Sequence, residues 1–245
     1  MPASGAARES MDMNNRRHLH AYLLLGGFAL GITQSTLASA TDILKKDCAQ
    51  CHNLTGPAAT ALKALWERKG PDLFYAGNKY KRDWLESWLQ KPARIRPAGM
   101  YYGNHVERGA KSDEIKAATP PSHPVLSSAD AKSATEALMS LRANSVLIKP
   151  GEYKPGSIPM SMGEMLFDKF RGCMACHEIE PGYGGLSGPE VHTAARRLQE
   201  DYMISFMRNP QAWDPRSFMP NKSLNDADLQ KLVHYLRALS EENTK

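Results

Sequence analysis

The chain has 245 residues and a formal net charge of +5, and 23% of its residues are charged. Its basic residues are scattered and never form a run of five, which excludes a continuous basic stripe for nucleic acid. Such a length accommodates two small domains of about 100 residues each in addition to a short leader.

The N-terminal segment has the three parts of a secretory signal peptide. Arg16 and Arg17 supply the positive region, residues 21–33 are uncharged and mostly apolar, and residues 38–40 read Ala-Ser-Ala, an A-x-A cleavage site. The apolar run is shorter than the roughly 20 residues that a membrane span needs. We therefore expect cleavage after Ala40 and export to the periplasm, with membrane contact only if the segment stays uncleaved.

The four cysteines form two copies of one pattern, each followed directly by a histidine. The residues are Cys48, Cys51 and His52 in the first copy, and Cys173, Cys176 and His177 in the second. Disulfides are one interpretation and a zinc site is another, but neither explains the repeated histidine. C-x-x-C-H is the attachment sequence of c-type haem: two thiols on one helical turn reach the two vinyl groups of one porphyrin edge, and the histidine lies beneath the ring. We predict two covalently bound haems c.

The segments after the two motifs resemble each other, which indicates an internal duplication. A Gly-Pro pair at 70–71 corresponds to one at 188–189, and residues 83–92 align without a gap with residues 201–210. Within the two ten-residue segments Asp, Ser and Pro are identical, and aromatic and aliphatic positions correspond throughout. Both segments predict an amphipathic helix that ends at the proline.

A second pair of similar segments predicts the last helix of each half. Residues 126–130 and 224–228 each place a Ser or Asn three positions before an Asp, as an N-cap with an acidic third residue. Between the halves, residues 145–159 contain three prolines and two glycines without periodicity, which indicates a linker. The predicted organisation is a signal peptide at 1–40, a first domain at 41–151 and a second domain at 152–245.

Each half has a helix leading into C-x-x-C-H, a Gly-Pro pair, a middle helix, a late methionine and a C-terminal helix. In this it resembles class I c-type cytochromes. The resemblance implies an all-α fold of two tandem cytochrome c-type helical domains, each wrapped around one covalent haem. In that family the carbonyl of the proline holds the second nitrogen of the haem histidine, a role that would fall to Pro71 and Pro189. Such a hydrogen bond orients the imidazole and makes it a more basic ligand.

The same resemblance implies that a methionine between the middle and last helices is the sixth iron ligand. Met219, which is followed by Pro220, takes this place in the second half. The aligned residue of the first half is Met100, although no proline follows it and a long insertion comes after it. At this first site His105, His123 and an open or water-bound iron remain alternatives.

Two functions compete for a chain of this kind. With both axial positions of each iron filled, it would be a periplasmic carrier or electron-transfer subunit that moves single electrons between a redox donor and an acceptor. The partners would be redox proteins of a respiratory or other oxidative chain, and one of them could be a catalytic subunit. Nucleic acid is not an expected partner. The alternative is a haem enzyme or redox-enzyme subunit, such as a peroxidase or sulfur-compound oxidoreductase, with an open first haem. The short mature chain and the lack of a spare cysteine favour the carrier over the enzyme.

Overall fold

The computed structural model describes residues 40–110 and 112–242. Its helices are α1 (Leu44–Cys48, a π-helical turn), α2 (Leu62–Trp66), α3 (Ala76–Lys79), α4 (Arg82–Gln90), α5 (Ser128–Ser140), α6 (Met160–Met165), α7 (Ala194–Arg197), α8 (Glu200–Arg208), α9 (Pro210–Trp213) and α10 (Asp226–Glu242). A second π-helical turn, Leu166–Phe170, continues α6, and short 3₁₀ turns lie at Tyr102–Asn104, Ser145–Leu147 and Cys173–Ala175. The strands are β1 (Val106–Arg108), β2 (Asp113–Ile115), β3 (Glu178–Glu180) and β4 (Tyr183–Gly184). The predicted signal segment before Ala40 lies outside the described residues, so its removal stays a prediction. No helix in the described ranges is long and apolar enough to cross a membrane.

The described residues are mainly helical, as the sequence predicts, and the strands add two antiparallel hairpins, β1 with β2 and β3 with β4. Sequence reasoning missed both hairpins, because each strand has only two or three residues and lies in a connecting segment. The first hairpin lies within the long insertion of the first half, and the second follows the second C-x-x-C-H motif. Neither hairpin changes the helical framework that positions the two motifs.

The first half is built around α4 and α5, which pack against each other. Leu85 and Leu89 recur at a spacing of four on α4, and both are buried against Ala134 and Leu138 of α5 in one apolar cluster. Leu44 of α1 belongs to the same cluster, so the core of this half anchors the helix that ends at the first motif. The predicted middle helix is confirmed as α4, which ends two residues before the proline.

The second half is built on α10, a helix of 17 residues that contacts α6, α7 and α8. One face of α10 is buried over its whole length, as predicted, with Leu229, Leu232 and Leu236 in its core cluster. Gly163 allows the close approach of α6, because a Cβ at this position would lie 2.3 Å from the Tyr235 ring. The packing of α6 on α10 thus fixes the helix that leads into the second motif.

The two halves meet through equivalent residues of the repeat. Tyr80 forms an antiparallel bridge with Leu198, its counterpart in the alignment of the halves. On one side Lys81 N donates to the Arg197 carbonyl at 2.9 Å, and on the other Gln199 N donates to the Lys79 carbonyl, also at 2.9 Å. Pairing of a segment with its own copy is what an approximate twofold axis between two similar units produces.

Aromatic side chains from both halves pack beside this bridge. The Tyr75 ring lies 5.2 Å from the Trp213 ring, which in turn lies 4.7 Å from Tyr202. Together with Phe74 these rings form a buried cluster shared by the halves. The cluster therefore packs the segment just before α3 against α8 and α9 of the other half.

Candidate functional site

Both C-x-x-C-H motifs close into a helical turn in the same way. In the first motif, the backbone N–H groups of Cys51 and His52 donate to the Cys48 carbonyl at 3.1 and 3.0 Å. In the second, Cys176 and His177 donate to the Cys173 carbonyl at 3.1 and 3.2 Å. The turn brings the two thiols of each motif to one side and sets the histidine directly after them.

The four cysteines are all free of disulfide bonds in the structure. Burial raises the pKa of the Cys48 and Cys173 thiols to about 11, with nearby Asp47 adding to the effect at Cys48. Within the described ranges no group of three or more His, Cys, Asp or Glu side chains could hold a metal ion. The disulfide and zinc interpretations therefore find no support in this part of the chain.

Each motif histidine contacts the proline that the resemblance assigned to it. The Nδ1 atom of His52 lies 2.7 Å from the carbonyl oxygen of Pro71, and Nδ1 of His177 lies 2.7 Å from that of Pro189. A carbonyl oxygen only accepts hydrogen bonds, so Nδ1 must carry the hydrogen in both rings. The lone pair of each imidazole is then on Nε2, the nitrogen that faces away from the proline.

The glycine before each proline is explained by the same imidazole. A Cβ on Gly70 would lie 2.4 Å from Cε1 of His52, and one on Gly188 would lie 2.7 Å from Cε1 of His177. Real Cβ atoms do not approach ring atoms so closely, so any other residue would push the ring out of place. In both halves the Gly-Pro pair thus leaves space for the motif histidine and accepts its hydrogen bond, and we call this pair the histidine seat.

The surroundings of the two motif histidines lower their pKa and so favour the neutral imidazole. Burial lowers the pKa of His52 and of His177, because a charged imidazolium loses its water there, while the proline carbonyl acts in the opposite direction. Nearby cations lower the pKa further, Lys79 among them at His52 and Arg96 at His177. A neutral imidazole with a free Nε2 is the form that binds a metal.

The cations themselves are unusual. Lys79 and Arg96 are partly exposed by surface area but densely surrounded by protein, and burial lowers the pKa of both, with Arg197 adding to the effect at each. Within the described residues neither makes an ion pair with a carboxylate, and Lys79 Nζ lies 4.9 Å from the centre of the Tyr80 ring. Buried cations are costly unless an anion pairs with them. The junction of the halves is therefore suited to an anionic group.

The two methionines predicted as iron ligands lie in loops and are half-buried. The loop of Met219 is fixed by Gln211, whose Nε2 donates to the Met219 carbonyl at 2.9 Å. Met100 is followed by Tyr101, whose ring lies 6.0 Å from that of Phe218, the residue before Met219. The loops that carry the two methionines therefore meet each other.

The histidines that were alternatives to Met100 are placed very differently. His105 belongs to the insertion, where its Nδ1 lies 2.9 Å from the Thr119 hydroxyl. The ring of His123, in contrast, lies 6.3 Å from the ring of His52, centre to centre. It also lies 4.6 Å from the ring of Trp88 on α4. The structure thus brings a second imidazole to the first motif, and it is the imidazole of one of the alternatives that the sequence left open at this site.

Residues 159–236 match the family model described as cytochrome c oxidase, cbb3-type, subunit III. The matched range runs from the start of α6 through most of α10 and contains the second C-x-x-C-H motif, Pro189 and Met219. Comparison with curated proteins and with solved structures gave no match. The match supports a c-type cytochrome domain in this region, in keeping with its helical fold. A domain of that type implies a covalently bound haem c and suggests electron transfer.

Proposed function

We propose that the chain is a periplasmic dihaem c-type cytochrome that moves single electrons between redox partners of a respiratory or other oxidative chain. The observation that carries this proposal is the identical geometry of the two motif histidines. Each has its Nδ1 atom 2.7 Å from the carbonyl of the proline in a Gly-Pro pair, and each packs where a glycine leaves room for it. Because the family match covers the second of these seats, the same arrangement in the first half supports a second haem there.

The residues present fit a haem in each half. Cys48 and Cys51 would hold the first haem through thioether bonds, with Nε2 of His52 on its iron. The second haem would be held in the same way by Cys173, Cys176 and His177. The haem supplies the one-electron chemistry of iron. The protein fixes the imidazole, keeps Nε2 unprotonated and shields the ring from water.

The sixth ligands set the reduction potentials. Met219 would complete the second site, and its thioether would favour ferrous iron and raise the potential of that haem. In the first half, Met100 and His123 both come from segments between the middle and the last helix. With either of them bound, the first iron would also lack an open position for a substrate. The haem-enzyme alternative needs such an open position, so an imidazole 6.3 Å from His52 weighs against it.

The cations at the junction of the halves fit the charge of the proposed cofactors. Every haem carries two propionate groups, and Lys79 and Arg96 have no carboxylate partner within the described residues. Lys79 acts on the pKa of His52 and Arg96 on that of His177, so each cation lies near one of the two motifs. We therefore assign Lys79 and Arg96 to the haem propionates, whose negative charge would offset the cost of burying them.

The proposal is tested by the intact mass of the exported protein. We expect a chain that begins at Thr41 with two covalent haems, and a reductive titration that consumes two electrons per molecule. Cys51→Ser and Cys176→Ser form a matched pair, since both thiols are exposed and occupy the same place in the two motifs. The first variant should weaken attachment of one haem and the second variant attachment of the other. A wild-type mass with a single haem would contradict the dihaem function.

A further inference from the structure

We infer that the first iron is bound by imidazole on both sides, from His52 and His123, and that Met100 is not its sixth ligand. The inference rests on the proposed function, because it requires a haem on the first motif. It departs from the resemblance, which implies a histidine and a methionine in each half. Four independent features of the structure support it.

The first feature is the separation of the two rings. Two imidazoles that bind one metal from opposite sides, each at a metal–nitrogen distance of about 2 Å, have ring centres about 6 Å apart. The centres of the His52 and His123 rings are 6.3 Å apart. The observed spacing is compatible with this geometry. A shared axis leaves the angle between the ring planes free, and the observed angle of 55° is compatible with it.

The second feature is the state of the nitrogens. His52 uses Nδ1 for the Pro71 carbonyl, and Nδ1 of His123 lies 2.9 Å from the Pro124 carbonyl. A carbonyl oxygen accepts, so Nδ1 carries the hydrogen in His123 as it does in His52. Neither Nε2 has a hydrogen-bond partner among the described residues. Both rings therefore keep the same nitrogen available for a metal.

The third feature is the support of His123. Its ring lies 4.6 Å from the ring of Trp88, which is fixed on α4 and stacks on Trp84 at 5.6 Å. Three residues later, Leu126 N donates to the Leu89 carbonyl at 3.0 Å, which ties the segment to the end of the same helix. The side chain and the backbone of this segment are thus both held against α4. An imidazole that is already held in this way loses little conformational freedom when it binds a metal.

The fourth feature is the place of His123 in the repeat. His123 is followed by Pro124 and then by the N-cap of α5, just as Met219 is followed by Pro220 and then by the start of α10. If His123 is the ligand, the long insertion of the first half lies before the ligand. The connection from the ligand to the last helix then stays short, as it is in the second half. Met100 lies before that insertion, and the ring of the next residue packs 6.0 Å from Phe218 of the other half.

The test is the near-infrared sulfur-to-iron band of the oxidised dihaem protein, measured per haem by magnetic circular dichroism. We expect the wild type to show the band of one methionine-ligated haem together with the band of one bis-imidazole haem. Met219→Ala should abolish the sulfur band, whereas Met100→Leu should leave its intensity and both reduction potentials unchanged. His123→Met should double the sulfur band and raise the potential of one haem, since a thioether favours ferrous iron.

The outcomes separate this inference from the proposed function. A sulfur band of two haems in the wild type, or its loss by half in Met100→Leu, would overturn the assignment of His123 while leaving a dihaem carrier in place. Ready binding of carbon monoxide to one haem of the reduced wild type would overturn it as well, because that site would be open. The wild-type spectrum decides even if the His123 variants do not fold. A mass with one haem would instead contradict the proposed function itself.

Discussion

The two halves of the chain are alike on one side of their motif histidines and different on the other. On the proline side the distances from Nδ1 to the carbonyl are both 2.7 Å, and a glycine makes room for each ring. The imidazole of His123 lies beside that of His52, with 6.3 Å between the ring centres. The nearest aromatic neighbour of His177 within the described residues is Phe167, at 6.3 Å between ring centres. The duplication has thus kept the device that orients the histidine and changed the surroundings that would set the potential.

This difference has a direct consequence for electron flow. A thioether ligand stabilises ferrous iron relative to a second imidazole, so a haem bound by His177 and Met219 has the higher reduction potential. A haem bound by His52 and His123 has the lower one. Electrons would then enter at the first haem and leave from the second. Identical halves would give no such preference, so the proposed asymmetry of the ligands would supply a direction.

The largest expected effect comes from filling the space that a glycine leaves for the motif histidine in each half. Gly70→Ala and Gly188→Ala each place a Cβ within 2.7 Å of a motif imidazole. Displacing the ring breaks the contact with the proline carbonyl, and overpacking of this kind costs about 1–3 kcal/mol of folding free energy. We expect each variant to lose the low-spin state of the haem in its own half only, as measured by the absorption spectrum.

Gly103→Ala is the control for these two variants. Its Cβ would meet the Tyr101 ring at 3.3 Å, in the insertion and not at a motif histidine. It should keep both haems in their wild-type spin state. If Gly70→Ala or Gly188→Ala removed the low-spin state of both haems, the two histidine seats would not be independent.

A smaller effect is expected from making the ligand sets of the halves equal. Met219→His should replace the thioether with an imidazole, which lowers the potential of the second haem towards that of the first. The sulfur-to-iron band should disappear while both haems stay low-spin. A redox titration should then show one broad step in place of two. Two well-separated steps in this variant would mean that the ligands do not cause the difference between the halves.

The sequence was sufficient for everything that the repeat keeps in register. The two motifs and the middle helices α4 and α8 follow from local spacing and from an alignment without gaps, and the proline partners follow from the resemblance to class I c-type cytochromes. The approach of His123 to His52 could not be derived in this way, because the insertion after Met100 interrupts the alignment and left His105, His123 and an open iron as alternatives. One signal was present, since His123-Pro124 precedes the N-cap of α5 as Met219-Pro220 precedes α10.

The junction of the halves was also beyond the sequence. Lys79 and Arg96 read as scattered basic residues of a mildly positive chain, because only the fold surrounds them with protein. The bridge between Tyr80 and Leu198 joins residues that are equivalent in the repeat, but equivalence alone does not predict contact. Both features depend on how one half packs on the other, which no periodicity within either half encodes.

The smallest expected effect separates the caps of the two last helices. Ser127 Oγ accepts a hydrogen bond from Asp130 N at 3.1 Å, and Asn225 Oδ1 accepts one from Asp228 N at 2.8 Å. Replacing either cap with alanine removes an acceptor for a helix N–H and costs about 1 kcal/mol of folding free energy. Thermal denaturation should therefore show a similar, small loss of stability for Ser127→Ala and Asn225→Ala.

Carbon monoxide binding should nevertheless distinguish the two caps. Ser127 lies four residues after His123, and the segment between them is tied to the end of α4 by the hydrogen bond from Leu126 N to the Leu89 carbonyl. Asn225 lies six residues after Met219, whose loop is held separately by Gln211. Loosening the start of α5 should thus weaken the hold on His123 and let carbon monoxide compete at the first haem, whereas loosening the start of α10 should leave the second haem closed. Equal reactivity of the two variants would mean that the last helix does not position the ligand of the first half, and that Trp88 alone holds His123 in place.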